Sequence, residues 1–308
     1  MKKFIYVIPI LAIVLLGTGC SNTAQNNNVQ QTANDAKKKD GSLKNVGTKE
    51  SLAKNSDGAH GATLAGTRIE FQNINNLKPG DITLAFKLYG RDAHKFGPDD
   101  LKVTHEKPLH LMLVRDDLQY YQHLHPEFVD GNWTVKTQVA EQGKYEMYVD
   151  IDPKEENPIV LRVPLTIGGA TKEKMFPTVS RDLTAIVDGI TASLDKAELG
   201  RKTTEITLRY KLTQNSQPLS QIQAYLGAFG HVVALKHGEP DHFVHAHPLT
   251  ETVPQNGIVE FEINLQEKGM YTIFAQFNIN GKIKTFPITL EAEGFAAVQK
   301  MEENKHMQ

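Results

Sequence analysis

The stretch HLMLVRDDLQYYQHLHP, residues 110–126, has the pattern of a β-hairpin and organises the fold around it. Its first half is mostly apolar, and the acidic pair at 116–117 can form a two-residue loop between two strands. Counting back from that loop places His110 directly opposite His123. His125 lies two positions after His123 and therefore returns to the same face of the strand. The sequence thus predicts three imidazoles on one patch of a sheet.

A second stretch, HVVALKHGEPDHFVHAHP at residues 231–248, repeats this arrangement with one additional residue. A three-residue loop at 237–239, with glycine in the middle, compensates for that residue. The count then opposes His231 and His245, and His247 returns to their face. Because the register is inferred from loop length, a slip along the strand would break the pairing.

The two hairpins belong to an internal duplication. The segments DITLAFKL, LHLMLV, HLHP, GKYEMYVDI and PLTI recur in the same order as EITLRYKL, GHVVAL, HAHP, GMYTIFAQF and PITL. We place one domain at residues 62–170 and the other at residues 180–292, each of ordinary domain length. In both, short alternating runs rich in β-branched and aromatic residues are separated by turn-forming residues. The sequence predicts an all-β fold with two tandem antiparallel β-sandwiches of immunoglobulin or cupredoxin shape.

Neutral imidazoles with room for a further ligand suit zinc or copper. The candidate metal ligands are His110, His123, His125, His231, His245 and His247. Met112 is a further candidate because it shares the strand face of His110, and its thioether would favour Cu(I). We expect up to two ions, one for each hairpin, with the second hairpin the stronger site. Binding should weaken as the pH falls through about 6.5. The alternative is structural, with the histidines hydrogen-bonding to backbone carbonyls at a sandwich end.

The N-terminal segment predicts export and membrane attachment. Two lysines precede a short apolar run, and small residues then lead to Cys20, which is typical of a secretory signal peptide. The arrangement resembles the lipobox of bacterial lipoproteins, although Gly17 stands where that motif has leucine. The resemblance implies a signal peptide at residues 1–19, lipidation of Cys20, for example by palmitate, and a location on the extracytoplasmic face of the cell membrane. An ordinary secreted protein with a stray thiol is the alternative.

The two ends of the mature chain differ in composition from the domains. Large apolar residues are almost absent from residues 20–61, so this segment cannot bury enough surface to offset its chain entropy. It is predicted to be a flexible tether, and the mostly polar residues 293–308 are predicted to form a tail.

Composition argues against several functions. Cys20 is the only cysteine, so the domains offer neither a thiolate for a blue-copper centre nor a cysteine nucleophile. The formal net charge of −2 provides no broad basic surface for nucleic acid. No set of nucleophile, base and acid stands out, which favours a protein that is not an enzyme. We therefore expect a cell-surface lipoprotein that binds or buffers copper or zinc. The alternative is a non-catalytic envelope-structural or protein-interaction module.

The stretch AYLGAFGHVVALKHGEPDHFVHAHP, residues 224–248, resembles a group of exported bacterial proteins that carry a Gly-His strand followed by His-x-His-Pro. The resemblance is weaker in the first copy, where Leu109 replaces the glycine. It implies an extracytoplasmic β-domain with a metal-associated role and supplies no substrate.

Overall fold

In the computed structural model of the chain, the residues described are 63–64, 66–169, 173–195, 206–246, 248–249, 252–265 and 267–292. They all belong to one compact unit, Ser42–Gln308. The predicted signal peptide, Cys20, the tether, His247 and the polar tail lie outside the described residues. Over the described ranges, no helix has the length and apolar character needed to cross a membrane.

The first copy folds into two sheets. Its strands are β1 (Thr63–Leu64), β2 (Thr67–Phe71), β3 (Gly80–Tyr89), β4 (Lys95–Phe96), β5 (Leu109–Arg115), β6 (Tyr121–Leu124), β7 (Glu127–Val129), β8 (Asn132–Val139), β9 (Gly143–Ile151) and β10 (Ile159–Ile167). One sheet has the order β1-β2-β3-β8-β7, with β4 beside β3, and the other has the order β10-β9-β5-β6. A short 3₁₀ helix at Pro98–Asp100 lies between β4 and β5.

The second copy repeats this plan. Its strands are β11 (Thr184–Val187), β12 (Ile190–Leu194), β13 (Ile206–Gln214), β14 (Gln217–Pro218), β15 (Ile222–Gln223), β16 (His231–Lys236), β17 (Glu239–Ala246), β18 (Ile258–Ile263), β19 (Gly269–Ile279) and β20 (Lys282–Ala292). The order β11-β12-β13-β14, with β18 beside β13, forms one sheet, and β15-β19-β16-β17, with β20 beside β19, forms the other. Short 3₁₀ helices occur at Arg181–Leu183 and Gln255–Gly257.

Alternation of side chains explains why each sheet buries one face. In β3, Ile82, Leu84, Phe86 and Leu88 are buried, while the residues between them are more exposed. The equivalent strand β13 buries alternate residues in the same way. Each copy thereby closes around its own apolar core. The predicted all-β fold of two tandem antiparallel β-sandwiches is confirmed.

Strands β5 and β16 depart from this alternation because both of their faces are buried. Residues 109–114 of β5 and every residue of β16 are buried. Their inner faces join the two sandwich cores, whereas their outer faces belong to a third apolar cluster that joins the domains. The interdomain cluster contains Met112, Val114, Leu118, Tyr148, Val160, Val233, Leu235, Phe243 and Phe274. Continuous apolar runs in these strands therefore reflect cover on both sides.

Aromatic stacking strengthens the contact between the two hairpin sheets. Tyr148 stacks on Phe243 with ring centroids 4.6 Å apart, and its hydroxyl donates to the carbonyl of Pro240 at 2.8 Å. Tyr121 stacks on Phe274 with ring centroids 4.4 Å apart. The outer faces of the two hairpin sheets therefore lie against each other, and the histidines on those faces meet.

The first hairpin pairs Met112 with His123, so the predicted opposition of His110 and His123 is wrong. The loop contains four residues, 116–119, because the amide of Arg115 donates to the carbonyl of Tyr120. Leu118 lies in this loop and adopts a positive φ of 60°, whereas the predicted two-residue loop would have placed it in the strand. The resulting shift by two positions keeps both histidines on one face of the sheet.

The second hairpin pairs Val233 with His245, so the predicted opposition of His231 and His245 is wrong by the same two positions. Its loop is the two-residue turn at 237–238, not the three residues predicted. Residues 240–242 then form a bulge between paired positions of β17. The first bulge residue is proline, which has no N–H to donate to the ladder.

Candidate metal centre

His110 and His231 occupy equivalent positions in the two copies, and the same kind of contact fixes each ring. Both are buried, with 4% and 1% of their surface exposed. The Nε2 of His110 lies 2.9 Å from the carbonyl oxygen of Thr104, and the Nε2 of His231 lies 3.0 Å from that of Tyr225. A carbonyl oxygen only accepts hydrogen bonds, so Nε2 carries the proton in both rings. The lone pair of each neutral ring is therefore on Nδ1.

His123 and His245 are also equivalent, and each is oriented by the opposite domain. The Nδ1 of His245 donates to Oδ2 of Asp150 at 2.9 Å, and the Nδ1 of His123 donates to Oε1 of Gln276 at 3.2 Å. The side-chain amide nitrogen of Gln276 donates to the hydroxyl of Thr285 at 3.0 Å, and in this orientation Oε1 faces the His123 ring as an acceptor. These bonds leave the lone pair of each neutral ring on Nε2.

His125, which follows the end of β6, is half-buried and lies beside this group. Its ring centroid is 4.7 Å from that of His123 and 5.1 Å from that of His110. Its Nδ1 lies 3.5 Å from the hydroxyl oxygen of Tyr225. Its buried Nε2 has no hydrogen-bond partner within the described part of the chain. A buried nitrogen of this kind is open to a ligand.

The imidazoles form two overlapping groups in which candidate ligand nitrogens lie within 4.8 Å of one another. One group is His110, His123 and His125, and the other is His123, His231 and His245. Because His123 belongs to both, the two hairpins share one histidine cluster. We use the name histidine cluster for these five residues.

The structure thus brings together five of the six imidazoles predicted as ligands. The sixth, His247, lies outside the described residues. The set predicted for the first hairpin, His110, His123 and His125, is one of the two groups found, whereas His231 and His245 of the second hairpin group with His123 of the first. Met112, the further candidate, is fully buried in the interdomain apolar cluster.

Burial lowers the pKa of His110, His123, His125 and His231. Desolvation, reinforced by the neighbouring His245, lowers the pKa of His110 to about 4. Burial and the nearby His110 lower the pKa of His125 to about 3. The pKa values of His123 and His231 fall well below 6.5, first through burial and then through His245. These rings are neutral at pH 7, which is the form that binds metal. Protons should therefore compete with metal only at a pH below the value of about 6.5 that was expected from the sequence.

A separate group contains Glu239, His242 and Glu267. The Nζ of Lys236 lies 2.8 Å from a carboxylate oxygen of each glutamate. The ring nitrogens of His242 lie 3.2 and 3.1 Å from the other carboxylate oxygens. The lysine ammonium forms an ion pair with both carboxylates, so this group is an ion-pair network around the bulge of β17.

Sequence reasoning missed Asp150 and Gln276, which orient His245 and His123. The two residues hold the same place in the repeated segments GKYEMYVDI and GMYTIFAQF. In the sheets, Asp150 pairs with His110 and Gln276 pairs with His231, so each lies opposite a histidine of its own copy. A polar residue at the same position of both apolar strands was the signal that could have found them.

Fold and cluster together define a protein of two duplicated β-sandwich domains that gathers histidines at the interface between the copies. The chain belongs to the family described as "Domain of unknown function (DUF8832)", which matches residues 62–167 and again residues 185–294. The two matches confirm the predicted internal repeat. No curated protein matches the chain.

Two solved structures illustrate the structural similarity. The tetra-tandem repeat in the extending region of a large adhesion protein is 12% identical, with a TM-score of 0.24, over 73% of this chain and 48% of that chain. The fibronectin(III)-like modules of CbhA from Clostridium thermocellum are 10% identical, with a TM-score of 0.19, over 74% of this chain and 95% of that chain. The chain spans about half the length of the adhesion protein chain. Likeness at this level carries no argument about function.

Proposed function

We propose that this protein binds a transition-metal ion, zinc or copper, through the histidine cluster between its two domains. Its role is to bind or buffer the ion at the outer face of the cell membrane, without catalysis. The proposed location depends on lipidation of Cys20, which follows the small residues of the predicted signal peptide.

Two lone pairs that face each other carry this proposal. The Nδ1 of His110 and the Nε2 of His123 lie 3.1 Å apart. Both rings direct their protons outward, to Thr104 and Gln276, so neutral rings have no proton to share between these two nitrogens. The lone pairs repel unless a cation lies between them. Burial disfavours a proton in that role, because it lowers the pKa of both rings.

The separation of these nitrogens also suits a metal ion. Two nitrogens bound tetrahedrally to one zinc ion at 2.0 to 2.1 Å lie about 3.3 to 3.4 Å apart. The observed 3.1 Å therefore needs only a small adjustment. The ligand nitrogens of each full group lie within 4.8 Å of one another, so any that are farther apart than this pair would move inward on binding.

The outer hydrogen bonds of the four buried histidines match those of metal ligands. A metal-bound histidine usually donates its second ring N–H to a carboxylate, a backbone carbonyl or water, which fixes the tautomer and the ring orientation. His245 has a carboxylate partner, and His110 and His231 have backbone carbonyl partners. The side-chain carbonyl of Gln276 plays this part for His123.

The donor set favours Zn(II) or Cu(II). Imidazole nitrogen suits both ions, whereas Cu(I) prefers thiolate and thioether ligands. The only cysteine of the chain precedes the domains, and Met112 contributes to the interdomain apolar cluster. We therefore assign the sulfur of Met112 to packing.

Metal analysis and calorimetric titration of the purified chain test the proposal. We expect zinc or copper to bind the wild type, and His123→Ala to weaken binding by more than about 100-fold. The reason is that even an outer partner of a ligand contributes about 10- to 100-fold. His94→Ala is the matched control, because His94 is exposed and pairs with Asp100 beside the other sheet of the first domain. If wild type and His123→Ala bind equally, or neither binds, the histidines have a structural role in an interaction module.

A further inference from the structure

We infer that the histidine cluster takes one Zn(II) or Cu(II) ion between the two domains, held by two imidazoles from each copy. This differs from one ion in each hairpin and makes the ion a link that stabilises both domains together. The inference rests on the proposed function and specifies the stoichiometry and the consequence of binding at that same site.

The first support is that imidazoles of different copies are as close as those of one copy. Ring centroids lie 5.4 Å apart for His123 and His245, and 5.6 Å apart for His123 and His231. They also lie 5.6 Å apart for His110 and His245. Within one copy, the corresponding separations are 5.3 Å for His110 and His123, and 6.3 Å for His231 and His245. One of the two groups of candidate ligand nitrogens, that of His123, His231 and His245, therefore already spans both copies.

The second support is the direction of the lone pairs, which follows an approximate twofold relation between the copies. Each copy contributes Nδ1 of the histidine on the first strand of its hairpin (His110 or His231). It also contributes Nε2 of the histidine on the second strand (His123 or His245). All four outer nitrogens donate to acceptors away from the centre, at Thr104, Tyr225, Asp150 and Gln276. The four inward nitrogens match the number of ligands in a closed tetrahedral site, which requires His110 to move towards the group that His123, His231 and His245 already form.

The third support is that each copy orients a ligand of the other. His245 of the second copy depends on Asp150 of the first, and His123 of the first depends on Gln276 of the second. Separating the domains would remove both orienting bonds as well as two of the four ligands. Ion binding and domain docking must therefore stabilise each other. The docked domains bind the ion more tightly, and the bound ion raises the free energy needed to separate the domains.

Trp133 makes this coupling measurable. It is the only tryptophan of the chain, and it is fully buried in the core of the first domain. Its fluorescence therefore reports the unfolding of the first domain alone. A ligand variant in the second domain then tests whether that domain helps to hold the ion that stabilises the first.

The experiment uses the full-length chain with Zn(II), which does not quench tryptophan as Cu(II) does. Calorimetry should give one ion per chain. At a free zinc concentration of about 100 times Kd, the thermal midpoint reported by Trp133 should rise by roughly 5 to 10 °C. His231→Ala, in the second domain, should abolish this rise, and His245→Gln provides a second variant should the first fail to fold. His242→Ala is the matched control, because His242 belongs to the separate ion-pair network.

The outcomes separate the two proposals. If the wild type binds no zinc or copper, the proposed function itself fails. If two ions bind, or if both second-domain variants fold and keep the zinc-dependent rise at Trp133, the shared centre is overturned while metal binding stands. One ion, together with loss of the rise in the variants but not in His242→Ala, supports the interdomain assignment.

Discussion

Acid should destabilise the metal-free protein at a pH where most β-sandwiches are unaffected. The pKa of His110 is about 4 in the folded protein, against about 6.5 for an ordinary histidine in the unfolded chain. Between these values the unfolded chain binds more protons than the folded one, so stability is complete above about pH 6.5 and is lost as the pH falls towards 4. At about 1.4 kcal/mol per pKa unit, His110 alone accounts for about 3 kcal/mol.

The other buried members of the cluster add to this dependence. The pKa values of His123, His125 and His231 are also lowered by burial. With four such groups, the slope approaches about 5 to 6 kcal/mol per pH unit. That is comparable to the whole stability of a typical domain, about 5 to 15 kcal/mol. We therefore expect acid unfolding of the metal-free protein to have its midpoint at about pH 5.

Urea denaturation at several pH values, in chelator and followed by circular dichroism, measures the effect. His110→Gln should reduce the slope below pH 6 by about 1.4 kcal/mol per pH unit, the contribution of one proton. His94→Gln is the control, because the pKa of that exposed histidine is raised by its bond to Asp100, the opposite direction. Stability that stays flat between pH 7 and 5 would refute the reasoning, and so would equal slopes in the two variants.

Three further predictions concern packing, the outer partners and the anchor. Gly230→Ala would place a Cβ 2.9 Å from two phenylalanine rings, so the free energy of unfolding measured in urea should fall by about 1 to 3 kcal/mol. Gly169→Ala, which has open space around it, should change that free energy little. Asp150→Asn should weaken zinc binding about 10- to 100-fold in calorimetry and Gln276→Glu should strengthen it; unchanged affinity in both would contradict their orienting role. Cys20→Ala should release the chain from the membrane fraction or block its processing, and full membrane retention after normal processing would argue against lipidation.

The fold could be predicted because its signals are local and occur twice. Alternating runs such as ITLAFKL specify half-buried strands, and the repeated order of segments specifies two domains. The hairpin register could not be predicted, because it depends on how each loop closes. Leu118 enters the left-handed region, where leucine is uncommon, and the proline that begins the bulge of β17 displaces the second ladder. Neither feature follows from residue types alone.

The difference between the copies at Leu109 and Gly230 also has a physical explanation. Both residues precede the first-strand histidine. In the second copy, the rings of Phe261 and Phe277 occupy the space that a side chain at position 230 would need. In the first copy, the buried side chain of Leu109 fills the corresponding part of its core. The glycine therefore serves packing.

The candidate site could be predicted only in part, since residue spacing identifies which histidines share a face but not what covers that face. The runs LHLMLV and HVVAL were hints, because they are too continuously apolar for strands with one side in water. A pattern of burial on both sides does not say which surface provides the cover. That information is in the shape of the folded domains, and for this reason the sharing of His123 between both groups escaped prediction.

The contacts at the interface recur in crossed pairs, and this bears on where an ion would lie. Tyr121 of the first copy stacks on Phe274 of the second, and Phe243, its equivalent, stacks on Tyr148 of the first. The bonds from the second-strand histidines to Asp150 and Gln276 cross in the same way. Reciprocal contacts of this kind define a twofold interface, in which one surface patch meets its own equivalent. Side chains near such an axis approach one another from both copies, as His123 of the first copy approaches His231 and His245 of the second. An asymmetry in these bonds, a carboxylate at Asp150 and an amide at Gln276, leaves a negative charge beside the cluster, which favours a cation there.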